Sequence, residues 1–106
     1  LAPAGSVISS VEDLAKYGVA QFDNSNKELD LLRKKTFKLN NRVSLGLGWF
    51  ILKAKKNIWF NHDGNTGGYS SSMFIDVENQ NGVIILSNVD NEYTSSLGLK
   101  LMKSLY

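Results

Sequence analysis

The feature that most restricts how this chain can fold is a series of short apolar segments between residues 44 and 89, separated by polar turns of a few residues. The composition and two-residue periodicity of these segments predict β-strands at 44–52, 57–61, 69–77 and 83–89. Connections this short leave no room for a crossover helix, so consecutive strands pair antiparallel. We therefore expect a four-stranded antiparallel meander.

Helical periodicity flanks the predicted sheet on both sides. A serine followed three residues later by an acidic residue is a helix-start signal, and it occurs at Ser9 or Ser10 for a first helix and at Ser25 for a second. A terminal helix begins at Asp90 or Asn91. We expect its apolar residues to face the core, namely Tyr93, Leu97, Leu101 and Leu105.

Together these elements predict an α+β fold in one segment, residues 1–106, that is helical over 9–38, forms the sheet over 44–89 and ends in a helix over 91–105.

The segment Val83–Leu86 is apolar on both faces, which is typical of a central strand covered on both sides. Three helices give little cover for such a sheet. We expect the isolated chain to form a homodimer or to exchange elements with a second copy. The alternative, that three helices suffice, remains open.

Composition excludes several classes of function. The chain has no cysteine and one histidine, His62, which excludes thiol catalysis and multi-histidine metal sites, and we expect no metal and no cofactor. The formal charge is +2 and the basic clusters at 33–38 and 53–56 are short, so we expect no nucleic-acid partner. Apolar runs are no longer than Val83–Leu86, far too short to span a membrane.

Aromatic residues on the first two predicted strands admit two interpretations. They could form a stacking platform for RNA bases, or they could pack in the core. The near-neutral charge favours core packing. The residues concerned are Trp49, Phe50, Trp59 and Phe60.

The segment His62–Ser71 carries the residues best suited to chemistry. Three glycines within residues 64–68 allow close backbone approach and positive φ angles. The chain lacks the G-x-x-x-x-G-K-[ST] motif of phosphate loops and the G-x-S-x-G nucleophile elbow. Taken alone, His62 is more readily a half-buried histidine at a strand end than a catalytic group.

Three stretches resemble the serine β-lactamase and penicillin-binding-protein superfamily, in particular the class C branch with its related esterases and D-amino-acid peptidases. Trp59–Ser71, with Gly82–Asn88 behind it, is similar to the region of the third active-site motif. Ala4–Tyr17 resembles the stretch that leads into a Ser-x-x-Asp-Leu-Ala helix, and Gly46–Trp49 resembles the Gly-Leu-Gly-Trp strand. The resemblance covers nearly the whole chain and implies a β-lactamase/transpeptidase-like fold.

The active-site motifs match only in part. Superfamily members carry Ser-x-x-Lys, which supplies the nucleophile, and Tyr-x-Asn or Ser-x-Asn; this chain contains neither, so it has no nucleophile of its own. The third motif, usually Lys-Thr-Gly, corresponds to His62–Gly64. Because the first two motifs lie upstream in such enzymes, and the chain starts at Leu1 without a signal peptide, we expect the C-terminal part of a longer hydrolase. The resemblance implies a location in the bacterial cell envelope or outside the cell.

The resemblance also implies roles for individual residues. Asn65 stands where a backbone N–H helps to form the oxyanion hole, and His62 stands where lysine is usual, so both are candidate catalytic residues. Imidazole is mostly neutral at neutral pH, whereas lysine is charged, so His62 attracts a substrate carboxylate less. An ester or a peptide amide is therefore at least as plausible a substrate as a β-lactam or a D-amino-acid peptide. The candidate substrate-binding residues are Asp63, Gly64, Thr66 and Gly67.

A different interpretation makes the chain a non-catalytic module whose β-lactamase-like sheet binds a peptide or another protein. The two missing motifs and the altered third motif favour it. The order and spacing of the three matching stretches favour the hydrolase. On either interpretation we expect the 106-residue chain to be inactive on its own.

Overall fold

The computed structural model describes residues 5–106, so Leu1–Ala4, where the resemblance begins, lie outside the described residues. The described part contains three helices and six strands, and no helix in it is long and apolar enough to cross a membrane. In chain order the elements are α1 (Val11–Ala20), α2 (Lys27–Arg33), β1 (Phe37–Lys38), β2 (Val43–Leu45), β3 (Phe50–Ala54), β4 (Asn57–Thr66), β5 (Tyr69–Asp76), β6 (Asn81–Ser87) and α3 (Tyr93–Ser104). The strands form one antiparallel sheet in the order β1-β2-β3-β4-β5-β6.

The α+β class is confirmed, but the four-stranded meander is wrong, because the sheet has six strands within residues 5–106. The segment predicted as one strand at 44–52 is two strands, β2 and β3, joined by a turn in which the Gly46 N–H donates to the Trp49 carbonyl over 2.8 Å. A Cβ at Gly46 would lie 2.8 Å from the Leu32 carbonyl oxygen of α2, so the chain turns where only glycine fits. The sheet also begins earlier, at β1, whose two residues are too few to show any periodicity.

β6 lies at the edge of the sheet, with β5 as its one neighbour among the described strands, although its apolar sequence predicts a central strand. Both faces of β6 are covered, since Ile84 packs against one core cluster and Val83 against the other. Two-residue periodicity shows which faces of a strand are covered. It does not show whether another strand lies alongside, because neighbouring strands pair through backbone hydrogen bonds.

Each face of the sheet carries its own core cluster. The buried residues are Trp49, Met73 and Ile75 on the side of α1 and α2, and Trp59, Phe74 and Met102 on the side of α3. Trp49 and Trp59 therefore lie on opposite faces of the sheet. This arrangement supports core packing of the tryptophans over a shared stacking platform.

The face that α3 turns towards the sheet is not the predicted one. Its buried residues are Thr94, Gly98 and Met102, one position further round the helix. A Cβ on Gly98 would lie 2.6 Å from the Ser72 Oγ of β5, so glycine permits a close approach of helix and strand. The residues predicted to face the core are instead between 41% and 74% exposed: Tyr93, Leu97, Leu101 and Leu105.

Polar side chains start all three helices. Ser10 accepts a hydrogen bond of 3.1 Å from the first turn of α1, which selects the second of the two predicted frames. Asn26, rather than the predicted Ser25, caps α2. The N-cap of α3 is Glu92, which makes no side-chain cap bond, but Asn91, one of the two predicted residues, accepts a bond of 2.9 Å from the first N–H of the helix. These contacts satisfy N–H groups that have no partner within the helix.

Asp76, at the end of β5, is fully buried. Burial raises the pKa of its carboxyl group, but the hydrogen bonds that it accepts from Tyr106 and Asn79 outweigh this effect, so the pKa lies below its ordinary value. The Tyr106 hydroxyl donates to Asp76 Oδ2, and Asn79 donates from its backbone at 3.0 Å and its side chain at 2.8 Å. The carboxylate therefore ties the chain after α3 to the turn between β5 and β6.

Replacing Tyr106 with phenylalanine removes the donor to Asp76, and we expect the free energy of unfolding to fall by about 1–2 kcal/mol at neutral pH. Because folding lowers the pKa of Asp76, the stability that this carboxylate contributes is complete above its unfolded pKa of about 3.9. That stability is lost as the pH falls through the folded value. Urea unfolding near neutral pH and near about pH 2.5 should therefore show a Tyr106→Phe deficit that shrinks in acid.

The matched control is Tyr93→Phe, since Tyr93 is 74% exposed. We expect this control to unfold like the parent chain. A Tyr106→Phe deficit of equal size at both pH values would show that packing, rather than the bond to the carboxylate, is responsible.

Candidate active site

The third-motif residues lie inside a regular strand. β4 runs to Thr66, five residues past the strand predicted at 57–61, and includes His62, Asp63 and Gly64. Five of the six candidate residues therefore lie on one strand. The sixth, Gly67, lies in the turn that follows.

The turn between β4 and β5 consists of Gly67 and Gly68, with φ angles of 52° and 87°. Two positive φ angles are what a type I′ hairpin turn requires, and glycine adopts them at no steric cost. The turn sets the register in which Thr66 faces Tyr69. It therefore also fixes which face of the sheet each side chain of the third motif occupies.

One edge of β4 is unpaired along the third motif. β3 pairs with β4 only as far as Phe50 opposite Asn61. Within residues 5–106, no strand pairs with residues 62–66 on that side, whereas β5 pairs along all of them on the other. The segment at Gly5 lies near the far end of this edge, where an added Cβ would be 3.0 Å from Thr66 Oγ1. Such an edge can accept an extended ligand as an additional strand.

Alternation in the ladder decides which backbone groups point towards this edge. Antiparallel residues alternate between pairs that exchange both hydrogen bonds and pairs that exchange none. A two-residue turn closes on a hydrogen-bonded pair, here Thr66 with Tyr69, so Asp63 and Asn65 belong to pairs that exchange none with β5. The N–H and C=O groups of Asp63 and Asn65 therefore point towards the unpaired edge.

The His62 side chain is exposed and lies on the α1 side of the sheet, where its ring centre is 6.3 Å from that of Phe50. It borders a cleft of about 260 Å³ between α1 and the sheet. Tyr17 and Trp49 stack in this cleft, with ring centres 6.4 Å apart. The other apolar residues that line it are Leu14, Met73, Ile84 and Leu86. The imidazole therefore lies between an apolar cleft and the unpaired edge of β4.

Asp63 points to the opposite face, towards α3. Its Oδ1 accepts hydrogen bonds from Ser72 Oγ at 2.6 Å and Asn61 Nδ2 at 3.1 Å. Its Oδ2 accepts from Ser95 Oγ of α3 at 2.6 Å. In the structure the side chain of this candidate substrate-binding residue therefore links β4, β5 and α3, and only its backbone faces the unpaired edge.

The remaining candidates differ in their surroundings. Asn65 donates from Nδ2 to Asp90 Oδ1 over 2.9 Å, which joins the end of β4 to the loop before α3. Gly64 faces Ser71 across the ladder, and a Cβ there would lie 2.9 Å from Ser71 Oγ. Thr66 and Gly67 are exposed at the hairpin tip.

Sequence reasoning missed Asn61, Ser72 and Ser95, the three partners of the Asp63 carboxylate. Two-residue alternation along β4 contained part of this information, because it places Asn61 and Asp63 on the same face as the buried Trp59. The contact with Ser95 had no local signal, since that residue lies 32 positions away.

Two further observations restrict the chemistry. Among the described residues, no group of three or more histidine, aspartate or glutamate side chains is placed to hold a metal ion. The sequence contains no Ser-x-x-Lys, the motif expected to supply the nucleophile.

The match to known families agrees with this geometry. The model of the Beta-lactamase family matches residues 1–100. The chain therefore belongs to the Beta-lactamase family and, with it, to the serine hydrolase superfamily that comprises β-lactamases and penicillin-binding proteins. No curated protein sequence matches the chain.

The contacts of Asp63 lead to a stability prediction. Replacing Asp63 with alanine removes three bonds to a carboxylate and leaves their donors partly buried, so we expect the free energy of unfolding to fall by about 2–4 kcal/mol. Asp90→Ala is the matched control, since Asp90 is exposed and accepts one side-chain bond. We expect that control to lose less than about 1 kcal/mol in urea unfolding. Equal losses in the two variants would contradict the role of Asp63 as the link to α3.

Proposed function

We propose that this chain forms the substrate-binding part of a serine hydrolase that works through an acyl-enzyme, of the β-lactamase, D-peptidase or esterase type. Membership of the Beta-lactamase family supports the reaction class. The observation that carries the proposal is the edge of β4 along residues 62–66, with which none of the described strands pairs. A substrate that lies along this edge gains backbone hydrogen bonds and is held with its carbonyl group in a defined direction.

Asn65 is the proposed oxyanion donor. Its backbone N–H belongs to a pair that exchanges no bond with β5, so this donor is directed at the edge where substrate would lie. The bond from its side chain to Asp90 anchors the residue. A donor held in place before the reaction stabilises negative charge on the substrate oxygen without a cost of reorganisation.

His62 is the proposed polar side chain beside the reacting group. Its imidazole is exposed on the same strand, three residues before Asn65, and can donate or accept a hydrogen bond. Histidine at this position lacks the ammonium group with which a lysine attracts a substrate carboxylate. An ester or a peptide amide is therefore at least as good a candidate substrate as a β-lactam or a D-amino-acid peptide.

On this proposal, the nucleophile belongs to a segment outside the 106 residues, because Ser-x-x-Lys is absent from them. The apolar cleft between α1 and the sheet is where such a segment would pack. Tyr17, which stacks in this cleft, is 40% exposed, so the site has apolar surface left to cover. We expect the isolated chain to be inactive.

A non-catalytic peptide-binding module is the second candidate. The same unpaired edge favours it, because strand addition needs no nucleophile. The two candidates differ in whether the complete protein that includes this chain turns over a substrate.

The decisive variant is Asn65→Pro in the complete protein, because proline removes the proposed donor N–H and is tolerated at a strand edge. We expect kcat on a chromogenic ester to fall about 100- to 1,000-fold, with little change in KM. Asn65→Ala is the matched control, since it loses the side-chain bond to Asp90 but keeps the backbone N–H. We expect this control to lose at most about tenfold in kcat, because the donor is less firmly held but still present.

Labelling with a fluorophosphonate identifies the reactive serine in the same protein. We expect the label outside these 106 residues. A label on a serine of this chain, or equal activities in Asn65→Pro and Asn65→Ala, would contradict the proposed roles. A complete protein with neither label nor turnover, but with a bound peptide, would favour the binding module.

We also propose that the isolated chain forms a homodimer through β6. The outer edge of β6 has no strand partner within the described residues, and Leu86 of this strand is 39% exposed on the α1 side of the sheet. Analytical ultracentrifugation should show a dimer that Leu86→Lys converts to a monomer, because a charge at an edge disfavours pairing. Leu31→Lys, on an exposed position of α2, should remain dimeric. A monomeric parent chain would contradict the proposal.

A further inference from the structure

A second concave site lies at the opposite end of β4 from the unpaired edge. It is a groove of about 910 Å³ between the ends of β2, β3 and β4 and the last turn of α3. Its apolar lining includes Val43, Leu52, Trp59 and Leu99. The Trp59 and Tyr106 rings lie 5.4 Å apart at one side of it. Nothing in the proposed hydrolase chemistry uses this surface.

The groove gathers positive charge. Arg42, Lys53, Lys55 and Lys103 line it, and no acidic residue is among its described lining residues. Strand pairing brings Arg42 and Lys53 together, since the Lys53 N–H donates to the Arg42 carbonyl over 2.8 Å.

None of the four cations has a carboxylate partner in the described part of the chain, where the one salt bridge joins Arg33 to Asp30. The buried Asp76 contacts Tyr106, but its oxygens already accept bonds from Tyr106 and Asn79. Four cations therefore line one groove with no acidic residue among its described lining residues, and this gives the groove a positive potential.

The Trp59 indole lies between the groove and the buried acid. Trp59 is 5% exposed, and its Nε1–H makes no hydrogen bond of ordinary length within the described residues, but it is close enough to Asp76 to help lower the pKa of that carboxyl group. An oxyanion in the groove would supply the counter-charge that the four cations lack.

We propose that this groove binds an amphipathic anion, a molecule with a phosphate or carboxylate group on an apolar chain. The apolar lining takes the chain, and the four cations take the oxyanion. The site is separate from the edge of β4, so the inference does not depend on the hydrolase proposal.

Nitrogen-15 NMR tests this directly, because the chain has two tryptophans and therefore two indole N–H signals, which Trp59→Phe assigns. Dodecyl phosphate, added below its micelle concentration, should shift the Trp59 indole signal in a saturable manner and leave that of Trp49 in place. Inorganic phosphate and dodecyltrimethylammonium should each bind at least about tenfold more weakly, because the first lacks the apolar chain and the second lacks the negative charge.

Matched variants distinguish binding in the groove from attraction to the positive charge of the whole chain. Lys103→Glu and Lys55→Glu should weaken binding at least about tenfold. Lys100→Glu and Lys56→Glu change the net charge equally but lie outside the groove lining, so they should change the affinity less than about twofold. Melting temperatures check that all four variants are folded.

Three outcomes would overturn the proposal. The first is equal weakening by the groove variants and their controls. The second is equal affinity for the phosphate and the trimethylammonium amphiphile, or for inorganic phosphate. The third is an unmoved Trp59 signal, including the case in which the chain associates only with phosphatidylglycerol vesicles and not with free dodecyl phosphate.

Discussion

The pairing of β4 with β5 is the interaction on which the remaining structure depends. Seven residue pairs join the two strands, from Phe60 opposite Ile75 to Thr66 opposite Tyr69. β5 carries buried residues on both of its faces, so each core cluster is built on this hairpin. A shift of one residue in register would turn His62 towards α3 and Asp63 towards α1. The two glycines at the turn, with their positive φ angles, select the register that places both cores and both side chains.

The candidate site follows from the unequal lengths of neighbouring strands. β4 continues for five residues beyond the last pair with β3, and this difference leaves the third motif with one paired edge and one unpaired edge. The carboxylate of Asp63 and the amide of Asn65 hold that extension to α3 and to the loop before it. The extension is therefore a fixed strand, which suits a backbone donor that must be in position before charge develops on a substrate.

Polar contacts have different roles at the two ends of β4. Near the hairpin turn they hold the end of β4 to α3 and to the loop before it. Near the opposite end, Asp76 is enclosed by Tyr106 and Asn79, and the basic side chains of the groove have no carboxylate partner. Asp76 accepts its hydrogen bonds from the neutral groups of Tyr106 and Asn79, and it forms no ion pair with a basic side chain of the groove in the described part of the chain.

The sequence by itself determined the features that depend on neighbouring residues. These are the α+β class, the antiparallel pairing of consecutive strands and the contact of Asn91 with the first turn of α3. Only the tertiary structure decided where the segment at 44–52 divides, because the turn at Gly46 is imposed by its contact with α2. It likewise decided that α3 buries Gly98 rather than Leu97, that β6 is an edge strand, and that Asp63 bonds to Ser95. Periodicity shows that a segment has an apolar face, but which face is buried and which edge is paired depends on residues distant in the sequence, whose contacts leave no local pattern.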